Sequence, residues 1–262
     1  MTYILASDYD GTLNQGGKIS QRTLDAIGRF RKAGHLFGVV TGREAASWRE
    51  ILAKGLVCET DFNIVANGAH CMDGKGETIF TAPFRANAPY GDTTLEKALI
   101  RRYFELGFVA GGLSFERERM DFAMHLPQGG RDGHTVYLPK DDFGDHHEAI
   151  IANAYWATLQ EADHAAAVLR REFGAYLSPA QNGRYLDITG VGIDKAAGLK
   201  TYAERMQVPL ANIWTVGDNL NDIPMLRAYH GCAIRSGPVS GLGVADILCD
   251  EVADVVDLLL SR

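Results

Sequence analysis

Two carboxylates separated by one residue, Asp8 and Asp10, lie near the start of the chain. They follow residues 3–6, a short apolar run that predicts the first buried strand of a parallel sheet. Open α/β sheets bind their ligands at the carboxyl ends of such strands, and Gly11 permits a sharp turn there. Because unpaired carboxylates are costly to bury, the pair indicates catalytic or ligand-binding chemistry rather than core packing.

A second acidic cluster lies near the other end of the chain. Residues 212–216 predict another buried strand, and Asp218, Asn221 and Asp222 follow it directly. Asn221 and Asp222 also have an alternative interpretation as ordinary helix-start residues, since both types favour helix N-termini. The repeated placement of acids after a strand favours a functional cluster.

Between the two acidic clusters, the sequence provides a hydroxyl, a guanidinium and an ammonium group. Thr41-Gly42-Arg43 follows the apolar run 36–40, and Lys195 lies at the start of a predicted helix. Carboxylates, a hydroxyl and cations at the ends of strands and helices are suited to holding a divalent cation and a phosphate together. The sequence therefore predicts a phosphate-handling site.

These ordered motifs resemble the haloacid dehalogenase-like phosphohydrolase superfamily. Residues 8–13 match its D-x-D-G-T-L signature in full, and residues 217–222 match its G-D-x-x-N-D pattern. Thr41 and Lys195 supply the two motifs that lie between them in the expected order. The complete set is far more specific than any of its last three motifs alone.

The resemblance implies an α/β fold with a doubly wound, Rossmann-like parallel-sheet core formed by residues 1–83 and 187–262. Residues 84–186 are expected to form an inserted α+β cap domain that controls substrate specificity. An insertion between the second and third motifs is a type II cap in this superfamily, as in its Cof-like sugar phosphatases. The pattern of the middle segment agrees, because an amphipathic helix near residues 94–106 is followed by short alternating stretches.

The resemblance also implies a role for each motif residue. Asp8 is expected to be the nucleophile that forms an aspartyl-phosphate, while Asp10 protonates the leaving alcohol and then activates water. Thr41 and Lys195 are expected to bind the transferring phosphoryl oxygens. Asn221 would donate an amide hydrogen bond to the same group or to Lys195.

Gly42 and Arg43 are further candidates for phosphate binding. Arg43 has two open interpretations: it reaches the substrate or its phosphate, or it forms a surface ion pair. Five cap residues have the same two interpretations, with a paired or solvated surface charge favoured for each: Arg117, Arg119, His125, Arg131 and Arg184.

The predicted reaction requires cations. Two unit charges brought to about 4 Å repel by on the order of 4 kcal/mol at an effective dielectric of 20, and a phosphate dianion roughly doubles this. Mg²⁺ is the expected cofactor, because it favours carboxylates together with phosphate oxygens. Asp8 and Asp218 are the predicted side-chain ligands, with a backbone carbonyl near Asp10 as a third. Asp222 either joins the metal ligands or orients Lys195.

Composition narrows the class of protein. The chain has 26 Lys and Arg against 33 Asp and Glu, a net charge of -7, and no basic run, which argues against nucleic-acid binding. No apolar stretch is long enough to span a bilayer, and the catalytic motif begins too early for a signal peptide, so a cytoplasmic protein is expected. Four cysteines without C-x-x-C spacing are predicted to be reduced: Cys58, Cys71, Cys232 and Cys249.

The predicted function is a Mg²⁺-dependent phosphatase acting on small phosphorylated metabolites. Sugar phosphates come first, since similarly capped relatives commonly handle them. A phosphohexomutase using the same aspartyl-phosphate stays open, because water access to the intermediate decides between the two. A non-catalytic phosphoacceptor or binding domain is the alternative of another class, but Tyr9 between the two acids and the large insertion argue against it. The sequence leaves the oligomeric state open.

Overall fold

The computed structural model describes residues 1–116, 119–124, 135–137 and 148–262. The helices, in chain order, are α1 Gln21–Lys32, α2 Ala45–Ala53, α3 Leu95–Glu105, α4 Leu159–Phe173, α5 Lys195–Arg205, α6 Ile223–Ala228 and α7 Val252–Leu260. The strands are β1 Ile4–Ser7, β2 Leu36–Val40, β3 Phe62–Val65, β4 His70–Asp73, β5 Thr78–Thr81, β6 Pro89–Tyr90, β7 Thr93–Thr94, β8 Ala110–Ser114, β9 Arg119–Ala123, β10 Thr135–Tyr137, β11 Ile151–Tyr155, β12 Leu177–Asn182, β13 Tyr185–Gly190, β14 Ile213–Gly217, β15 His230–Ile234 and β16 Ile247–Cys249.

The described residues form two compact units. The first, here called the core unit, comprises Met1–Arg43, Ser47–Phe80 and Asp194–Arg262, and the second, the cap unit, comprises Glu44–Ala46 and Thr81–Ile193. The predicted α/β class with an inserted α+β segment is confirmed. The predicted domain boundaries at 83/84 and 186/187 remain a prediction.

The core unit contains an eight-stranded sheet in the order β16-β15-β14-β1-β2-β3-β4-β5. Every pairing from β16 to β3 is parallel, and β4 runs antiparallel to β3. β1 is central, with β14 on one side and β2 on the other, so the chain order of the strands reverses at β1. Ligand sites of open α/β sheets lie at such a reversal, beyond the carboxyl ends of the strands.

Helices cover the sheet of the core unit because its strands are apolar on both faces. α1 packs against α7, while α5 packs against α6 and against β3 and β4. Phe62 of β3 stacks on Tyr202 of α5, with ring centroids 4.0 Å apart. The buried cluster beneath α5 also contains Ile4, Ile64 and Leu199. These contacts hold α5 against the sheet of the core unit.

Local sequence sets where the core helices begin. Ser20 caps α1 by accepting a hydrogen bond from the N–H of Thr23, as its residue type predicts. Asp194 caps α5 in the same way, accepting from Ala197 N–H at 2.8 Å. Lys195 is therefore the first residue of a helix whose start is fixed by its own N-cap.

The cap unit contains a six-stranded sheet in the order β10-β9-β8-β11-β13-β12, antiparallel except for β9 with β10. α3 and α4 supply Leu99 and Leu169 to a buried cluster that includes Leu113 and Ile188 from the strands. Thr158 starts α4 with a capping box to Glu161. The unit thus has a hydrophobic core of its own.

Several sequence-based boundaries differ from the structure. The residue pattern of 62–66 predicts a strand, but the strand ends at Val65, because Ala66 adopts a left-handed backbone conformation with φ 51°. Residues 152–158 also predict a strand from their sequence, but the strand is Ile151–Tyr155, since Thr158 already caps α4. Of the predicted cap contacts, Arg117, His125 and Arg131 lie outside the described residues.

Two further sequence predictions concern cysteines and membrane segments. All four cysteines have free thiols; Cys71, Cys232 and Cys249 are buried and Cys58 is partly buried, as predicted for reduced cysteines. Within the described ranges, no helix has both the length and the apolar composition needed to cross a bilayer.

Candidate active site

Lys195 lies between two carboxylates at the end of the core sheet. Its Nζ is 2.6 Å from Asp8 Oδ1 and 2.6 Å from Asp222 Oδ1. All three side chains are buried, with exposed fractions of 1%, 8% and 0%. Removing one member of a buried ion pair typically costs roughly 3–5 kcal/mol, because it leaves an uncompensated charge.

The charges around Lys195 do not balance. Burial alone would lower the pKa of Lys195, but the Asp222 and Asp8 carboxylates outweigh it and raise the pKa above its usual range. The two carboxylates therefore favour the charged, ammonium form of Lys195. One positive charge still faces the three carboxylates of Asp8, Asp218 and Asp222, which leaves the ionised cluster with an excess of negative charge.

Asp8 follows β1 directly, and its N–H donates to Val216 O of β14 at 2.8 Å. Burial raises the pKa of Asp8 to about 8; Lys195 lowers it, and Asp222 and Asp218 add to the rise. A buried carboxylate with an elevated pKa at a strand end is a candidate for catalysis. A further cation in the cluster would favour its ionised form.

Asp218 follows β14 and is enclosed by backbone from two other segments. Thr12 Oγ1 donates a 2.6 Å hydrogen bond to Asp218 Oδ1. A Cβ added at Gly11 would lie 2.6 Å from Asp218 Oδ2, and one added at Gly237 would lie 2.5 Å from Asp218 Cβ. Glycine is required at both positions, because a methyl group would collide with Asp218. Burial raises the pKa of Asp218, while the Thr12 hydrogen bond opposes the rise.

Asp8, Asp218 and Asp222 offer oxygen atoms that all lie within 4.8 Å of one another. Three buried carboxylates around one point suit a hard divalent cation such as Mg²⁺, which binds oxygen ligands. The donor set and its excess negative charge therefore fit the predicted cofactor. Asp10 is not a member of this carboxylate group.

Asp222 uses both carboxylate oxygens within the core unit. Oδ1 accepts from Lys195, and Oδ2 accepts from the backbone N–H groups of Asp218 and Asn219 at 2.9 Å each. Of the two sequence-based interpretations of Asp222, these contacts favour the one in which it orients Lys195. They also fix the backbone that carries Asp218.

Thr41 lies at the carboxyl end of β2, with 2% of its surface exposed. Its Oγ1 accepts from Arg43 N–H at 3.2 Å, which makes a tight turn with Gly42 at the centre. Its own N–H donates to Ile64 O at 2.8 Å. The hydroxyl is thus held at the same edge of the sheet as Asp8.

Arg43 pairs with Asp10. Its Nε lies 2.7 Å from Asp10 Oδ2 and its Nη2 lies 2.8 Å from Asp10 Oδ1. The two side chains are about half exposed, at 40% and 53%. The hydrogen bonds to Asp10 raise the pKa of Arg43. The structure thus shows the ion-pair interpretation of Arg43.

Asn221 is partly buried and lies beside Asn67, for which the dipeptide Asn67-Gly68 predicts only a turn. Its Nδ2 donates a long, 3.4 Å hydrogen bond to Asn67 Oδ1. Asn67 follows β3 and is 5% exposed. The predicted amide donor is therefore coupled to the loop after a third strand.

The structure thus brings Asp8, Lys195, Asp218 and Asp222 into one buried cluster, while Asp10 and Arg43 pair with each other. Sequence reasoning missed two kinds of residue. Thr12 belongs to the matched D-x-D-G-T-L signature. That match could have identified its hydroxyl as a candidate, but sequence reasoning gave it no role. Gly237 begins a glycine-rich stretch, residues 237–243, whose composition predicts only a loop. Its contact with Asp218 depends on tertiary structure.

The cap unit has a polar sheet face. Asp121, Gly112, Asn153 and Asp187 are register partners across β9, β8, β11 and β13. Because alternate residues of a strand point to opposite faces, this polar row lies opposite the apolar face formed by Leu113 and its partners. Asp121, Asn153 and Asp187 of this row line an open pocket of about 300 Å³. Arg119, Tyr155 and Tyr185 also line it.

Two of the predicted cap contacts, Arg119 and Arg184, lie within the described residues and differ in their partners. Arg119 Nε donates to Asp121 Oδ1 at 2.6 Å, and its Nη2 lies 3.4 Å from Asn153 Oδ1. Arg184 is exposed and donates to the carbonyl oxygen of Ala157 at 3.0 Å. Arg119 thus belongs to the polar pocket, whereas Arg184 has a backbone partner.

Comparison with known proteins gives a consistent result. The profile of haloacid dehalogenase-like hydrolases matches residues 5–257. A Haemophilus influenzae protein named "Putative phosphatase" is 22% identical over 250 residues, covering 90% of this chain and 86% of that protein. The structure of the subclass IIB sugar phosphatase BT4131 has a TM-score of 0.75 at 19% identity, covering 99% of this chain and all of that one. A haloacid dehalogenase-like hydrolase from B. subtilis has a TM-score of 0.79 at 18% identity, covering 98% and 99%.

Proposed function

Because the chain belongs to the haloacid dehalogenase-like hydrolase family, we propose that it is a Mg²⁺-dependent phosphatase. Its proposed substrates are small phosphomonoesters, with sugar phosphates first, and its proposed intermediate is an aspartyl-phosphate on Asp8. We further propose that residues 84–186 act as the cap domain that selects the substrate. A cytoplasmic location stays a prediction from sequence.

The observation that carries the proposal is the buried contact of Lys195 with Asp8 and Asp222 beside Asp218. Lys195 holds Asp8 Oδ1, so Oδ2 is the proposed attacking oxygen. Two buried side chains in fixed contact are preorganised, and preorganised charge stabilises the charge that develops on a transferring phosphoryl group. An ammonium group in direct contact with the nucleophile can also contact the incoming phosphate.

The proposed metal ligands are Asp8 and Asp218, with Asp222 fixing the backbone of Asp218. When bound, Mg²⁺ would supply positive charge that offsets the repulsion between carboxylate and phosphate. Thr12 supports this assignment, because its hydroxyl orients Asp218 Oδ1. Thr41, Gly42 and Lys195 are the proposed phosphate-binding residues, with Asn221 as an amide donor.

Asp10 is the proposed general acid and base. Its side chain is 53% exposed, so it can exchange protons with solvent between the two half-reactions. The contact with Arg43 keeps both oxygens as acceptors, and a phosphate dianion is a competing partner for the same guanidinium. Substrate binding is therefore expected to release Asp10 from Arg43 for proton transfer.

The polar pocket of the cap unit supports a hydroxyl-rich leaving group. Asp121, Asn153, Asp187 and Arg119 offer both hydrogen-bond donors and acceptors, which sugar hydroxyl groups require. Tyr155 and Tyr185 add a tilted aromatic pair with ring centroids 5.2 Å apart. A few polar groups placed beside aromatic rings are typical of small-molecule sites.

The test is phosphate release from a panel of phosphomonoesters, measured with Mg²⁺ and with EDTA. The panel pairs sugar phosphates with p-nitrophenyl phosphate, which lacks hydroxyl groups. We expect Mg²⁺-dependent release and higher kcat/KM for sugar phosphates; no release from any ester would refute the proposal. A parallel arm with hexose 1,6-bisphosphates detects isomerised product, which would identify a mutase instead.

A further inference from the structure

The loop after β3 has an unusual backbone. Three consecutive residues, Ala66, Asn67 and Gly68, have positive φ angles of 51°, 49° and 104°. We call residues 66–68 the left-handed loop. Residues with a Cβ seldom adopt this conformation, asparagine being among the more tolerant, and such strain persists only where neighbouring structure enforces it. Strained segments cluster at functional sites.

One side of the left-handed loop binds the backbone of the Thr41 turn. Ala66 N–H donates to Arg43 O at 2.7 Å, and Asn67 N–H donates to Thr41 O at 3.1 Å. These two carbonyls flank Gly42, so the loop fixes the turn that holds the Thr41 hydroxyl. The strained conformation is what directs both N–H groups at this turn.

The other side of the loop packs against the first turn of α5. A Cβ added at Gly68 would overlap the carbonyl oxygen of Asp194, which caps α5. A Cβ added at Gly198 would lie 2.7 Å from Gly68 Cα. Backbone therefore meets backbone here, and the loop sets the position of the helix start that carries Lys195.

The Asn67 side chain contacts Asn221, the proposed amide donor to the phosphate. Its Oδ1 accepts from Asn221 Nδ2, which orients the Asn221 amide group. An amide nitrogen has two N–H donors, so one remains for an anion. If the Asn221 amide were reversed, two acceptor oxygens would face each other and the remaining position would present an acceptor to the phosphate.

We propose that Asn67 is a positioning residue that acts through Asn221. It holds the Asn221 nitrogen as a hydrogen-bond donor for the phosphoryl group, while the left-handed loop fixes Thr41 and Lys195 on either side. This inference rests on the proposed phosphatase function and deepens it, because it adds a residue outside the four motifs to the phosphate site.

The test is a double-mutant cycle with Asn67→Gly and Asn221→Ala. Glycine accepts the left-handed backbone, so Asn67→Gly removes the side chain without adding strain. We expect Asn67→Gly alone to lower kcat/KM about tenfold and to weaken inhibition by orthovanadate about as much, as for loss of one hydrogen bond to an anion. In the Asn221→Ala background, the same change should alter both values less than about twofold.

Two outcomes would overturn the inference. If Asn67→Gly alone changes kcat/KM less than about twofold, Asn67 does not position a group that contributes to turnover. If its effect is equally large with and without Asn221, the residue acts only on the fold. Gln207→Gly is the matched control, because Gln207 is an exposed residue with φ 55° in the same unit, and it should leave kcat/KM unchanged.

The cycle also separates this inference from the proposed function. Orthovanadate affinity can be measured by calorimetry for the wild type and the three variants in the presence of Mg²⁺. If the effects of the two substitutions on orthovanadate affinity are coupled but no variant or wild type hydrolyses a phosphate ester, the positioning role of Asn67 is supported and the phosphatase function is refuted. Activity with additive effects would support the phosphatase and refute the role of Asn67. A wild-type chain that binds no phosphate analogue would refute both.

Discussion

The guanidinium of Arg43 contacts both carboxylate oxygens of Asp10, with N···O distances of 2.7 and 2.8 Å. Two parallel hydrogen bonds of this kind are geometrically specific as well as strong. A carboxylate that accepts at both oxygens has no proton to donate to a leaving alcohol. The pair is therefore a resting arrangement for the proposed reaction, and binding of a phosphate dianion gives Arg43 an alternative partner.

Arg43→Ala should raise KM for phosphate esters more than it lowers kcat. Loss of a charged hydrogen bond to the substrate corresponds to a roughly tenfold or greater rise in KM, while Asp10 no longer has to leave an arginine. Initial rates over a range of substrate concentrations separate the two constants. Arg235→Ala is the control, because Arg235 forms an exposed pair with Asp250. An unchanged KM in Arg43→Ala would contradict binding of the substrate phosphate by Arg43.

Asp8→Asn should reduce kcat by at least about a thousandfold, as expected for loss of a nucleophile. The amide cannot attack phosphorus, so no phosphorylated protein should accumulate. Acid quenching followed by intact-protein mass measurement detects that species. Asp25→Asn changes an exposed aspartate of α1 and should behave as wild type. Turnover retained in Asp8→Asn would move the nucleophile elsewhere.

Mg²⁺ affinity should increase with pH. Burial raises the pKa of Asp8 to about 8, so below that pH the metal-free site holds a proton that the cation must displace. Calorimetric Mg²⁺ titrations should give a Kd that falls by up to about tenfold per pH unit between pH 6 and 8 and then levels off. A Kd that is independent of pH over this range would contradict the prediction.

The same pKa has a consequence for metal-free stability. A pKa raised from the ordinary value of 3.8 to about 8 in the folded state means that the folded protein binds the proton more tightly. The bound proton stabilises the fold fully below the unfolded-state pKa of 3.8. This contribution is lost as the pH rises through the folded-state pKa of about 8. Asp8→Asn lacks this titration, so thermal unfolding in EDTA should show a smaller loss of stability with rising pH than in wild type.

Gly237→Ala should weaken the proposed metal site although no ligand is itself substituted. The added Cβ would lie 2.5 Å from Asp218 Cβ, so Asp218 must shift. Displacing a ligand through its surroundings typically costs about 10–100-fold in metal affinity. The measurement is the Mg²⁺ concentration for half-maximal activity. Gly241→Ala in the same loop meets nothing within 4 Å and is the control; equal effects would point to loop disorder instead.

Much of the core fold is predictable from sequence because its strands are continuous apolar runs. The apolar run of residues 36–40, for example, predicts a strand and forms β2 with the same bounds, Leu36–Val40. In the cap, β8 and β12 were missed, because Gly111, Gly112 and Pro179 weaken a strand signal. Pro179 is tolerated because β12 is an edge strand of its sheet, which no local pattern reveals.

The candidate site divides in the same way. The sequence predicts that Asp8, Asp218 and Lys195 meet, because strand ends and the starts of the following helices share one edge of a parallel sheet. A surface ion pair was one of two open interpretations of Arg43. The sequence did not name Asp10 as the partner, since rotamers and competing partners decide it. Asn67 was identified only as a turn residue, because its contact with Asn221 joins segments 154 positions apart.

The central place of β1 has a consequence for the order of events during synthesis. β1 pairs with β14, and the ammonium group that contacts Asp8 comes 187 residues after it. A ribosome must therefore release most of the polypeptide before Asp8 acquires its partners, although N-terminal segments emerge first. Nascent chains that end before Lys195 are expected to carry an exposed, unpaired Asp8 and to lack catalytic activity.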